Sequence, residues 1–206
     1  MTAAVPMTDR GRRTRETLLV AGRRVLEERG FAGTRMQDIA EAAGVSHGTV
    51  YTWFPTKGLL LEELADAIAR DVLDAARGDR RGAAPYERLH EANRRFLLHF
   101  RANARLLAVV EEAASVDPVW RDRLDGMRQV YVDRARRTVE RLRAEGAVAA
   151  DVVPATAATA LTGMVETFAR RSAPGLDLDA AADQITRLWA RAVGLTVPEP
   201  SPHTSR

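Results

Sequence analysis

Apolar residues recur every three to four positions along most of the 206-residue chain, and no useful stretch alternates with a period of two. That pattern predicts an all-α fold of about nine helices. Leu18, Ala21, Val25 and Leu26 mark the buried stripe of a first helix running to about Arg29, which Gly30 ends, and Phe31 then drops into a three-helix core. Met36, Ile39, Ala40 and Ala43 give a short second helix one apolar face. Thr34 is placed to cap it, with Gln37 three residues on as the reciprocal partner of a capping box. Gly44 falls where a left-handed residue must end the helix, and Val45 can plug the corner. Ser46 caps a third helix, His47–Trp53, which Pro55 stops soon after. Val50 and Phe54, one turn apart, face inward.

Downstream the stripes lengthen. Leu60, Leu61, Leu64, Ile68 and Val72 predict a helix from Lys57 to about Ala76 that leaves the first domain and enters the second. Gly78–Ala84 is a polar, Gly-containing break. Pro85 opens a helix traced by Tyr86, Leu89, Asn93, Phe96, Leu97 and Phe100. A separate short helix is expected over Arg105–Ala114. Asp117-Pro118 starts the next, with Trp120, Leu124, Met127, Tyr131, Ala135 and Leu142 on one side until Gly146 stops it. Pro154 opens a helix striped by Ala157, Ala160, Leu161, Met164, Val165 and Phe168. After Pro174-Gly175, Asp177 or Asp179 starts the last, with Leu178, Ala181, Ala182, Ile185, Leu188, Trp189, Ala192 and Val193 on one face. Leu195–Arg206 is Pro/Ser-rich and is expected to be disordered.

Helix, short Gly-containing turn, short helix is the grammar of a helix-turn-helix, whose second helix enters the DNA major groove. His47, Gly48, Thr49, Tyr51, Thr52 and Trp53 remain for its outer faces. Gly48 has no side chain to hold the backbone off the duplex, the hydroxyls can donate to phosphates, and Thr and His can also reach base edges. Charge placement agrees. Residues 1–57 hold nine Arg or Lys against six Asp or Glu, whereas the remainder balances at 22 against 22, so the whole net charge of +3 lies in this segment. Met1–Thr8 reads as a flexible arm. Arg10, Arg12, Arg13 and Arg15 after it can follow the DNA backbone, enter the minor groove, or stay solvated. Lys57 is the only lysine among 31 basic residues. A compact ammonium at that place suits one phosphate at the start of helix four.

The run AGVSHGTVYTWFPTKGLL resembles the recognition-helix signature of the TetR (tetracycline-repressor) family, with Gly44, Val45, Gly48, Tyr51, Phe54 and Lys57 matching position by position. LEERGFAGTRMQDIA upstream also matches, so the resemblance covers roughly residues 14–62. It implies a bacterial transcription regulator with three parts: a helix-turn-helix DNA-binding domain over residues 1–57, a helical ligand-binding and dimerisation domain over 58–194, and a tail over 195–206. The residues expected to meet DNA are Arg13, Thr34, Arg35, Gln37, Ser46, His47, Gly48, Thr49, Tyr51, Thr52, Trp53 and Lys57. The resemblance further implies a homodimer joined through the last two helices, by Ala157, Leu161, Met164, Val165, Ile185, Leu188, Trp189 and Val193. The bare pattern leaves open that these stripes pack only within their own chain. An effector chamber is expected among Asn93, Phe96, His99, Phe100, Leu107, Val110, Met127, Tyr131, Met164 and Phe168, suited to a largely apolar small molecule, although the bare pattern of these side chains reads equally as plain core.

Enzyme chemistry finds no constellation. The chain has no cysteine and four histidines. His90 and His99 have no metal-ligand spacing, and neither these nor His47 and His203 stand in an HExxH-like frame; no GxSxG, P-loop or dinucleotide fingerprint occurs. Glu111, Glu112 and Glu166 read as solvated or arginine-paired carboxylates, with ligand contact or acid–base work as the sharper alternative. No catalytic residue, metal or cofactor is therefore expected. Without a long apolar run or a signal peptide, the simple expectation is a cytoplasmic protein with no membrane partner. The preferred reading is a repressor that leaves a pseudo-palindromic duplex operator when a small molecule binds. The rival is a helical small-molecule binding protein or enzyme carrying an incidental helix-turn-helix.

Overall fold

The computed structural model describes residues 8–75, 83–173 and 175–198. Every regular element among them is helical: α1 (Asp9–Gly33), α2 (Met36–Ala43), α3 (His47–Trp53), α4 (Lys57–Ala75), α5 (Pro85–Val116), α6 (Pro118–Ala144), α7 (Pro154–Arg171) and α8 (Leu178–Ala192). The count among the described residues is eight rather than nine, because the short helix expected over Arg105–Ala114 is the second half of α5. Phe100 and Arg105 are joined by Arg-Ala-Asn-Ala, with neither Pro nor Gly, and alanine is the strongest helix former. Nothing there stops the helix.

Local chemistry sets the other ends. The Thr8 hydroxyl accepts from the Gly11 amide at 3.2 Å, and Asp9 places a carboxylate in the first turn, where the helix dipole favours it. The arginines from Arg10 to Arg15 are consequently helical, not part of an arm; Met1–Met7 of that predicted arm lie outside the described residues. Regular α1 geometry breaks at Gly30 (φ 73°, ψ 175°), the stop expected there. Pro154 sits in the first turn of α7, and Asp177 caps α8 by accepting from the amides of Asp179 (2.9 Å) and Ala180 (3.2 Å). The polar break after α4 falls mostly on residues 76–82, which are outside the described set.

The chain divides into two compact units. One holds the residues up to Asp71 together with Asn103–Leu124; the other holds Val72–Ala102 and everything from Asp125. Thus α5 and α6 each give a segment to both. In the first unit α1 packs on α2 and α2 on α3, and Leu18, Leu26, Ile39, Val50, Leu60, Leu61, Leu106 and Val110 are fully buried. At about 1.5–3 kcal/mol for each buried aliphatic side chain, this core is what holds the two short helices in place, since neither is long enough to persist alone.

The second unit has one apolar cluster drawn from α5, α6, α7 and α8, including Leu97, Val139, Leu142, Leu161, Val165, Ile185, Trp189 and Val193. Within it the buried Asn93 amide donates to the Thr186 hydroxyl at 3.1 Å, and that hydroxyl donates to the Ala182 carbonyl at 2.6 Å. Beyond α8, Gly194 turns left-handed (φ 71°) and the Leu195 amide donates to the Ala190 carbonyl at 2.8 Å. This folds Leu195 and Val197 back onto the cluster. The predicted disordered tail is therefore docked from Leu195 to Pro198, and residues 199–206 lie outside the described set.

Candidate nucleic-acid interface

α2 and α3 form the helix-turn-helix with the expected corner. Gly44 is left-handed (φ 66°, ψ 32°), its amide and that of Val45 donating back to Glu41 and Ala40 at 3.1 Å each. Ser46 Oγ accepts from the Thr49 amide at 3.2 Å and lies 2.8 Å from the Thr49 hydroxyl. Val50 and Phe54 are 0% and 3% exposed, which pins α3 by its inner face. Ser46, His47, Gly48, Tyr51 and Thr52 are exposed and Trp53 is half-buried. The His47 and Tyr51 rings meet edge to face at 4.8 Å, while the Thr52 hydroxyl donates to the Gly48 carbonyl at 2.9 Å. One rim of α3 thus carries an imidazole, a phenol and hydroxyls to solvent.

The start of α2 departs from expectation. Arg35, not Thr34, is the N-cap, and the Asp38 carboxylate accepts from the Arg35 amide at 3.0 Å while pairing with Arg29 at 2.7 Å. The Arg35 amide, more than any other group, holds the Asp38 carboxyl below the usual carboxylate range; partial burial opposes this and Arg29 supports it. Thr34 is 2% exposed and its hydroxyl donates to the Gly30 carbonyl at 2.7 Å, so it neither caps α2 nor offers a side chain to DNA. Gln37 is exposed and donates to Glu41 at 3.0 Å instead of closing a capping box.

Lys57 is also redirected. Its Nζ donates to the carbonyls of Phe31 (2.6 Å) and Thr34 (3.0 Å), approaches Ala32 O at 3.4 Å, and lies 4.7 Å over the Phe31 ring. A phosphate contact would have to displace these carbonyls. On the other edge of the same segment, the Glu112 carboxylate of α5 accepts from the amides of Phe31 (2.7 Å) and Ala32 (2.9 Å). Sequence reasoning read Glu112 as solvated or arginine-paired. A contact made across 81 positions leaves no local mark.

At the other end of α1, an open groove of about 510 Å³ is bordered by Asp9, Arg10, Arg13, Thr14 and Thr17 with Ala43 and Val45 of the α2–α3 corner. Exposed Arg10 and Arg13 are thereby set beside the helix-turn-helix corner, with exposed Arg35 at the start of α2. Arg15 instead pairs with Glu63 and lies over the Phe54 ring.

The residues expected to form an effector chamber fall into several places. The Phe96 ring meets Phe100 at 6.0 Å and Tyr131 edge-on at 5.1 Å. Burial, and then the Glu166 charge, push the Tyr131 phenol upward, so it stays a protonated donor. Met164 and Phe168 border an open groove of about 620 Å³ with Ala160, Gly163, Thr167 and Leu176. Asn93 is committed to Thr186, His99 and Met127 are half-buried, and Leu107 and Val110 belong to the first unit, where Val110 is fully buried. Of the expected dimer residues, Leu161, Val165, Ile185, Trp189 and Val193 are buried in their own chain's core, which the apolar stripe could not distinguish from an interface. Leu188 alone is clearly exposed, at 55%, with Ala157 and Met164 half-buried.

Among the described residues no group of His, Cys, Asp or Glu could hold a metal ion, and no helix is long and apolar enough to cross a membrane. A helix-turn-helix with a solvent-facing second helix, on a chain with a larger helical unit, defines a DNA-binding regulator. Residues 18–64 match the model for bacterial regulatory proteins of the tetR family, and residues 82–193 match the tetracyclin repressor-like C-terminal domain; the chain belongs to the TetR family of transcriptional regulators. It is similar to the HTH-type transcriptional regulator EthR of Mycolicibacterium smegmatis, 27% identical over 213 residues that span 96% of this chain and 97% of that one. Salmonella enterica GusR shares the fold with a TM-score of 0.77 at 21% identity, covering 92% of this chain and 100% of that one. AibR, solved with isovaleryl coenzyme A and operator DNA, does so with a TM-score of 0.67 at 23% identity, covering 85% and 97%.

Proposed function

We propose that this regulator is a cytoplasmic, homodimeric repressor that leaves a pseudo-palindromic operator when a small, largely apolar effector occupies its C-terminal helices. The observation that carries the reading is the exposed rim of α3 above a buried Val50–Phe54 anchor. His47 and Thr49 would read base edges; Arg13, Arg35, Gln37, Ser46, Tyr51 and Thr52 would meet the backbone; Gly48 and Trp53 would lie against the groove. Two copies of α3 must then stand roughly 34–36 Å apart, or a multiple of a helical turn. The N-terminal 57 residues would bind DNA, and residues 58–194 would bind effector and partner.

The aromatic group of Phe96, Phe100 and Tyr131, with Met164 and Phe168, supports an apolar effector carrying one hydrogen-bonding group for the Tyr131 phenol. Release needs the effector to favour one of two conformers by about 1–3 kcal/mol. No catalytic role or cofactor enters this reading. Selecting duplexes from a random pool with purified protein, then screening compounds for release, tests it in two stages. Turnover of a bound compound with no duplex ever retained would favour the rival enzyme reading.

A further inference from the structure

We infer that Glu112 is a positioning residue for DNA binding: from α5 it caps the segment that precedes α2, and so sets where the helix-turn-helix stands. The inference rests on the repressor reading above. At Gly30 the backbone leaves helical geometry, and from Thr34 it is extended, so α1 ends here. Two side chains of opposite charge hold its last backbone groups. The Glu112 oxygens hold the Phe31 and Ala32 amides at 2.7 and 2.9 Å, and the Lys57 ammonium holds the Phe31 and Thr34 carbonyls at 2.6 and 3.0 Å. The end of α1 is gripped on its donor side by α5 and on its acceptor side by the start of α4.

Two features make the grip specific. The backbone at Gly30, with φ of 73°, is one that other residues rarely adopt, and an added methyl group would stand 2.5 Å from Glu112 Oε2 and press the carboxylate away from its two amides. The grip is also short in range. Drawing the Glu112 carboxylate back by about 1.5 Å along the bonds, the rise of one helical residue, would take both past hydrogen-bonding distance. Glu112 lies in the first unit, but its helix also supplies residues of the second. A displacement of this part of α5 would reach the amides of Phe31 and Ala32 through Glu112.

The test uses the full-length protein and a duplex that the wild type selects from a random pool. Glu112→Gln keeps the shape but turns one acceptor into a donor facing an N–H group. Hydrogen exchange at the Phe31 and Ala32 amides should accelerate, and affinity for the duplex should fall roughly tenfold when measured well below the melting temperature, as expected for losing a charged hydrogen bond. Glu112→Asp keeps the charge but shortens the reach by about 1.5 Å, and should show the same loss. A folded Glu112→Gln protein that binds like wild type overturns the inference, as does unchanged exchange at both amides. So does an Asp variant of full affinity, because charge without capping would then suffice. A wild type that selects no duplex sinks the repressor reading itself, a different failure.

Discussion

The Lys57 ammonium sits 2.6 Å from the carbonyl oxygen of Phe31 and 4.7 Å above the ring of the same residue. One side chain therefore ties the start of α4 to the end of α1 by both a charge-assisted hydrogen bond and a cation–π contact. The phosphate role read from the sequence and this structural role make opposite predictions. Lys57→Ala should cost about 1.5–3 kcal/mol, a fall in melting temperature of several degrees, and leave the salt dependence of DNA binding unchanged. If the ammonium met a phosphate, the slope of log affinity against log salt would drop by about one. Lys57→Arg should not rescue stability, because a planar guanidinium cannot converge on carbonyls that a compact ammonium reaches together.

Local signals were legible because they act within one turn. Gly44, Ser46, Val50 and Phe54 could be assigned from spacing alone, and each stands as expected. The cap of α2 was harder to read, since Thr34 and Arg35 are adjacent and what decides between them is a hydrogen bond from Thr34 back to Gly30. Glu112 was misread because its partners are far away in the chain. On α7 and α8 the apolar stripes were visible, but periodicity cannot say whether a stripe is covered by its own chain or by another. Five of the eight residues read as interface are covered by their own.

Asp38 gives the chain a pH signature. Its carboxyl is held below the usual range, first by the Arg35 amide and, after the opposing effect of burial, by Arg29. A depressed folded value contributes stability that is present above the unfolded value of about 3.9 and is lost as pH falls through the folded one. Asp38→Asn should therefore be less stable than wild type at neutral pH, and the gap should close below about pH 4. Urea melts of both proteins across that range check it; a gap that stays constant into acid would rule out the carboxylate as its source.

On the recognition helix, His47 and Tyr51 touch at 4.8 Å but should separate in effect. Tyr51→Phe removes a hydroxyl suited to phosphate and should weaken binding to all duplexes alike. His47→Ala removes a group that can read a base edge, and should shift preference at one position of each half-site by about 1–3 kcal/mol. Repeating the random-pool selection with each variant distinguishes the two. Identical selected motifs for wild type and His47→Ala would show that the imidazole reads nothing.

Neighbouring residues on α8 test where a second copy docks. Trp189 is 3% exposed within the chain's own cluster, whereas Leu188 is 55% exposed. Trp189→Ala should cost about 3–5 kcal/mol by emptying core volume, and show itself as a lower melting temperature whatever the oligomeric state. Leu188→Glu should leave the folded subunit intact by circular dichroism but place a charge where an apolar contact between copies is expected, an uncompensated burial that two-fold symmetry imposes twice. Sedimentation equilibrium should then find a folded monomer in place of the dimer proposed for the wild type, with operator affinity lost alongside, since a single α3 spans only one half-site. A Leu188→Glu protein that stays dimeric and binds DNA as before would move the partner surface off this face of α8.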